Sequence, residues 1–127
     1  MTGLCRDTLA DLIVLVGENC QRLLDAKVKN VEVKDVQLDE IWSFVGMKEE
    51  QRAARGKSPE FGDSWTFIGI ERDTKLTLAH QVNQRDGQKC WAFLMKMKKA
   101  VGCGRFQLTT DGLAAYRMNV PFAFQSQ

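Results

Sequence analysis

Three carboxylates stand where chemistry could be done. Asp39 and Glu40 lie in the middle of Val36-Gln37-Leu38-Asp39-Glu40-Ile41-Trp42-Ser43-Phe44-Val45, and Asp111 follows directly on Arg105-Phe106-Gln107-Leu108-Thr109-Thr110. The first stretch is largely apolar, with β-branched and aromatic residues throughout, and reads as a central strand covered on both faces. A charge in such a strand is costly unless it is paired, hydrogen-bonded or bound to a metal. On this segment alone, a strand end reaching solvent accounts for the acids as well as a functional role does. Two carboxylates held close together repel and raise each other's pKa. A divalent cation relieves that conflict. Mg²⁺ takes oxygen ligands and is typically held by one or two carboxylates, waters and phosphate. A pair of such ions clamps the attacking and leaving oxygens of a displacement at phosphorus.

For Asp39 and Asp111 to cooperate, the elements around them must bring them together. After the strand 36–45, Trp65-Thr66-Phe67-Ile68-Gly69-Ile70-Glu71 and Leu76-Thr77-Leu78-Ala79-His80-Gln81-Val82 predict two strands of a hairpin joined by Arg72-Asp73-Thr74-Lys75. Asp86-Gly87-Gln88 opens a helix to about Val101, with Cys90, Phe93, Leu94, Met97 and Val101 as its buried stripe. Gly102-Cys103-Gly104 ends it, and the strand 105–110 follows. Leu113-Ala114-Ala115-Tyr116-Arg117 begins a further helix or turn that Asn119-Val120-Pro121 breaks. Three antiparallel strands, a right-handed helical crossover and a fourth strand parallel to the first form a mixed α/β sheet. That order sets the middle of the first strand beside the end of the fourth, and so Asp39 beside Asp111.

The 127 residues amount to one domain, or one domain with a small appendage. A hydrophobic fraction of 44% and a charged fraction of 27% are ordinary for a water-soluble globular chain. No apolar run nears the roughly 18 residues of a membrane span, so no membrane partner is expected. The N-terminus shows no basic leader. Cys5, Cys20, Cys90 and Cys103 form no C-x-x-C pair, and His80 is the single histidine. Reduced, packed thiols in a cytoplasmic protein are the expectation, and His80 reads as structural.

Residues 1–24 carry a helix with Leu9, Leu12, Ile13, Val16, Cys20, Leu23 and Leu24 at helical spacing, and Thr2 or Asp7 as its cap. It reads as a packing helix or as the remnant of a helix-turn-helix, whose DNA-facing candidates are Arg6 and Thr8. Residues 25–35 are a connector with a short strand at Val31–Val33. Residues 46–64 read as a solvated polar loop, four basic against four acidic side chains, in which Lys48, Arg52, Arg55 and Lys57 could meet phosphates. From Arg85 to Arg105 there are six basic residues and one acid, the most basic stretch of the chain. Its Lys89, Lys96 and Lys99 are either a solvated face of the helix or a surface for nucleic acid.

The segment Val36 to Lys48, with Gly62-Asp63-Ser64-Trp65 and Thr109-Thr110-Asp111-Gly112-Leu113-Ala114-Ala115-Tyr116, resembles the DDE transposases of bacterial insertion sequences, the insertion-sequence-one group in particular. The string DEIWSFVG.K followed by TDG..AY is far more specific than either aspartate. The resemblance implies a ribonuclease-H-like domain over 36–127, Mg²⁺ or Mn²⁺ dependence with a two-metal site in the complete enzyme, and cutting and joining of transposon ends and target DNA. Asp39 then matches the first acid and Asp111 the second, as catalytic residues and metal ligands. The family's third acid, a glutamate, stands on a later helix, and the sequence stops at Gln127 before such a helix. Glu40 does not replace it, because the family also has an acid after its first aspartate. The chain therefore resembles an internal piece of a transposase, with the sheet incomplete at its C-terminal side and little activity expected of it alone. The alternatives are a non-catalytic fragment that binds DNA, forms homo-oligomers or inhibits full-length transposase by pairing with it, and a decayed reading frame that self-associates.

Overall fold

The computed structural model describes Gly3 and residues 5–125. Eight elements follow one another: α1 Arg6–Lys27, β1 Asp35–Val45, α2 Glu49–Arg55, β2 Gly62–Glu71, β3 Thr77–Asn83, α3 Gly87–Ala100, β4 Gln107–Thr110 and α4 Ala114–Ala123. The four strands form one sheet in the order β3-β2-β1-β4. β1–β2 and β2–β3 are antiparallel, and β4 runs parallel to β1. This is the mixed sheet expected from the sequence.

The register of β1 decides which residues share a level across the sheet. Leu38 pairs with Gly69 and Asp39 with Ile68 across β2, while Leu38 pairs with Thr110 across β4. The hairpin turn is closed by Glu71, whose carboxylate accepts from the Thr74 hydroxyl at 2.6 Å and the Thr74 N–H at 2.7 Å. Arg72 reaches from the same turn to Asp35 at 2.9 Å, fixing the start of β1.

The core lies on one face of the sheet. Val36, Leu38, Phe67, Leu78 and Ala79 meet Cys90, Phe93, Leu94, Met97 and Ala100 of α3, and Tyr116 and Ala123 of α4. α3 starts where Asp86 accepts the Lys89 N–H at 2.8 Å, and its apolar residues recur every three or four positions. Gly69 lets it lie close, since a Cβ there would run into the Met97 thioether. Phe67 packs against Phe93 at 5.6 Å and edge-on to Tyr116 at 6.4 Å between ring centroids.

Six readings of the sequence need correction. β1 is not covered on both faces. α3 and α4 shield only its first half, and beyond Glu40 the residues Ile41, Trp42, Phe44 and Val45 are exposed. α1 buries none of its residues, so it does not act as a packing helix among the described residues. Its N-cap is Cys5, with Asp7 inside the first turn, and Thr2 lies outside the described residues. Segment 46–64 is not a plain loop. Glu49–Arg55 is helical, supported by the Glu49–Arg52 ion pair one turn apart and closed by Gly56 in the left-handed region at φ 57°. In place of a strand at Val31–Val33 there is one parallel bridge, Val31 to Val101. Finally, α4 continues through Pro121. Proline removes one N–H in the last turn, and burial of Tyr116 and Ala123 against the core outweighs that loss.

Two outcomes test this core. Phe93→Ala should cost about 3–5 kcal/mol in urea unfolding, whereas Met118→Ala, on the exposed side of α4, should stay within about 0.5 kcal/mol. Hydrogen bonds from Thr74 hold the Glu71 carboxyl below its ordinary value of 4.5. The unfolded chain then takes up that proton first, so this contribution is full above the ordinary value and fades as pH falls through the lowered one. Acid titration of stability should accordingly show a shallower loss below pH 4.5 in Glu71→Gln than in the parent.

Candidate active site

Alternation along β1 sends neighbouring side chains to opposite faces. Val36, Leu38 and Glu40 face the helices, and Asp39 faces the open side. The Glu40 side chain is only 1% exposed, while Asp39 is exposed. The two acids are linked through the backbone, since Asp39 Oδ1 accepts the Glu40 N–H at 2.8 Å. The doublet therefore divides into a solvent-facing carboxylate and an interior one.

β4 brings Asp111 to the same end of the sheet. Leu38 and Thr110 are the last paired residues of the parallel ladder, so Asp39 and Asp111 are the next residues on adjacent strands. Asp111 then turns the chain into α4. Its Oδ1 accepts the Leu113 N–H at 3.1 Å, and Gly112 takes φ 88°, a conformation that favours glycine.

Arg85 joins these pieces. It lies in the loop between β3 and α3, at the sheet end where β1 and β4 finish. Its Nε and Nη2 sit 3.1 and 3.0 Å from Glu40 Oε2, and Nη2 lies 4.0 Å from Asp111 Oδ2. The guanidinium stacks over the Trp65 ring at 4.5 Å. Glu40 Oε1 and Tyr116 Oη are buried side by side, with no other hydrogen-bond partner among the described residues. Burial pushes the Tyr116 phenol well above its ordinary value, and the neighbouring Glu40 carboxylate pushes it further. Burial likewise raises the Cys90 thiol; all four cysteines are free, but Cys5, Cys20 and Cys103 are exposed, so only Cys90 is the packed thiol expected.

The donor set suits a hard divalent cation. Asp39 and Asp111 each spend one carboxylate oxygen on a backbone N–H and keep the other for a ligand. Carboxylate oxygens completed by water and phosphate are the donors Mg²⁺ usually takes. Among the described residues no group of three histidine, cysteine or acidic side chains converges as a metal site.

The basic residues expected to meet DNA fall into three groups. Arg6 and Thr8 open α1, at the end away from its junction with the connector. Lys48, Arg52, Arg55 and Lys57 surround α2, where Lys48 lies over Trp42 at 5.2 Å and Arg52 is engaged by Glu49. Lys89, Lys96 and Lys99 are on α3, where Lys96 and Lys99 line a pocket with Gln21, Asp25 and His80. No helix of the described residues is long and apolar enough to cross a membrane.

Sequence reasoning counted Arg85 only within a basic stretch and gave Tyr116 no role. The available signal was topological. In this strand order the loop that begins the crossover lies at the sheet end where the first and fourth strands stop, and Arg85 is the charged residue in it that can reach Glu40.

Arg85→Ala should destabilise the fold by about 2 kcal/mol in urea unfolding, because it leaves the Glu40 charge buried without a partner. Adding Glu40→Gln should recover most of that loss. Comparison of the sequence with models of known protein families and with curated proteins finds no match.

Proposed function

We propose that this chain is a ribonuclease-H-like catalytic domain of the DDE transposase kind, built for metal-dependent cleavage and joining of DNA. One observation supports the reading: β4, parallel to β1 and entered by a helical crossover, ends its ladder at the pair Leu38 and Thr110, the residues directly before Asp39 and Asp111. The resemblance of the segments around these two aspartates to insertion-sequence transposases supports the same assignment.

In this reading Asp39 and Asp111 hold Mg²⁺ or Mn²⁺ through their remaining carboxylate oxygens. The ion supplies activation of the attacking hydroxyl and neutralisation of charge at the scissile phosphate. The protein contributes position. The sheet end fixes two acids on adjacent strands, and the Leu113 N–H holds Asp111 in one orientation. Basic side chains on α2 and α3 meet the DNA backbone and carry most of the affinity. The exposed apolar length of α1 supports association with another copy or with a full-length transposase. A non-catalytic, DNA-binding or inhibitory role is favoured by a separate observation, that no third ligand joins the two aspartates among the described residues.

Mn²⁺ titration followed by electron paramagnetic resonance, with a plasmid-nicking assay alongside, tests this reading. Weak Mn²⁺ binding is expected that disappears in both Asp39→Asn and Asp111→Asn, with little or no nicking by the 127-residue chain alone. Absence of any divalent-ion binding would sink the metal site. Vigorous nicking that Asp39→Asn abolishes would show instead that two acids suffice.

A further inference from the structure

Arg85 is tethered on one side and open on the other. Nε and one edge of Nη2 are spent on the buried Glu40 carboxylate, and Trp65 supports one face of the guanidinium. A guanidinium carries five N–H donors in a planar fork. Among the described residues, Nη1 makes no hydrogen bond, and the remaining edge of Nη2 points past Asp111 Oδ2 at 4.0 Å, too far to be bonded to it. The side chain is 38% exposed. A planar fork, held on one edge and 38% exposed beside the exposed Asp111, has the shape and charge to take a phosphodiester oxygen pair.

The buried Glu40 is hard to account for otherwise. Its Oε1 and the adjacent Tyr116 Oη are buried side by side, with no other hydrogen-bond partner among the described residues. A carboxylate this deep in an apolar face costs stability unless it holds a counter-charge. Holding Arg85 at the site supplies that reason. Arg85 would also offset the repulsion that Asp111 exerts on an approaching DNA strand.

We propose that Arg85 is a phosphate-binding residue for the DNA backbone at the acid-bearing end of the sheet, and that Glu40 is the positioning residue that aims it. The inference rests on the DNA-directed reading above and adds a contact that the metal ligands do not provide.

The test is binding of the full chain to a fluorescein-labelled duplex in EDTA, by anisotropy across a salt series, so that no metal takes part. Arg85→Gln, made together with Glu40→Gln to keep the interior neutral, should bind about tenfold more weakly at low salt. The slope of log K against log salt should flatten by about 0.9, one phosphate contact. Arg85→Lys should keep the slope and still lose affinity, since it keeps the charge and loses the fork. Glu40→Gln alone should weaken binding although it removes a negative charge, and adding Arg85→Gln should weaken it little further. Thermal melts of each variant separate loss of contact from loss of fold.

If the parent chain binds the duplex while Arg85→Lys and the double variant bind with unchanged affinity and slope, the role of Arg85 falls and the DNA reading stands. Tighter binding by Glu40→Gln would remove the positioning role. A parent chain that fails to bind at low salt overturns both the inference and the reading beneath it. Should Arg85→Lys instead raise Mn²⁺ affinity with DNA binding unchanged, Arg85 is an internal cation that guards the acids, and the phosphate assignment is wrong.

Discussion

A carboxylate sealed between a sheet and its covering helices must have its charge answered, and in this molecule Arg85 answers it. Glu40 sits where the apolar face of β1 would otherwise continue, under Tyr116 and close to Cys90. The ion pair ties the loop entering α3 to the middle of β1. It thereby anchors the start of the crossover against the strand that carries Asp39. Structure and chemistry converge on this one pair, because the element that delivers the second aspartate is anchored next to the first.

The rest of the core is ordinary in kind and one-sided in arrangement. α3 and α4 cover a single face of the sheet, over β2, β3 and the first half of β1. Past Trp42, β1 and β2 continue as a two-stranded ribbon carrying Phe44 and Val45 into solvent, with α2 at its turn. α1 stands apart, its leucines and valines exposed along most of the helix. The helix-covered half is built to hold acids in place, and the ribbon and α1 offer surface to something else. That division suits the proposed catalytic platform with peripheral arms for DNA and partner chains.

Much of this was legible in the sequence, for local reasons. The strand and hairpin signals around Phe67 and Leu78, the stripe of Cys90, Phe93, Leu94 and Met97, and the Gly102–Gly104 break each declare their element within a few residues. Together with crossover handedness they leave few topologies. Asp111 could be placed beside Asp39 on that basis alone. What stayed hidden depended on tertiary context. Ile41 to Val45 looks like a buried strand because residue type reports β preference, while burial depends on what covers the face. Pro121 looks like a stop, yet packing of Tyr116 and Ala123 carries the helix past it. Glu40 stands out in the sequence only as half of an acid pair, since nothing local shows that alternation turns it inward toward an arginine 45 positions away.

The division of Asp39 and Glu40 between two faces gives the frame of β1 a meaning that its composition lacks. Shifting the strand by one residue against β2 and β4 would carry Asp39 into the apolar interior and Glu40 out to solvent. It would also strand Arg85 and remove the level alignment with Asp111 in the same stroke. Single-codon insertions or deletions between Val36 and Asp39 are therefore far more damaging than any substitution there, even when every acid remains in the chain. In evolutionary terms, the length of this segment is constrained more tightly than its wording.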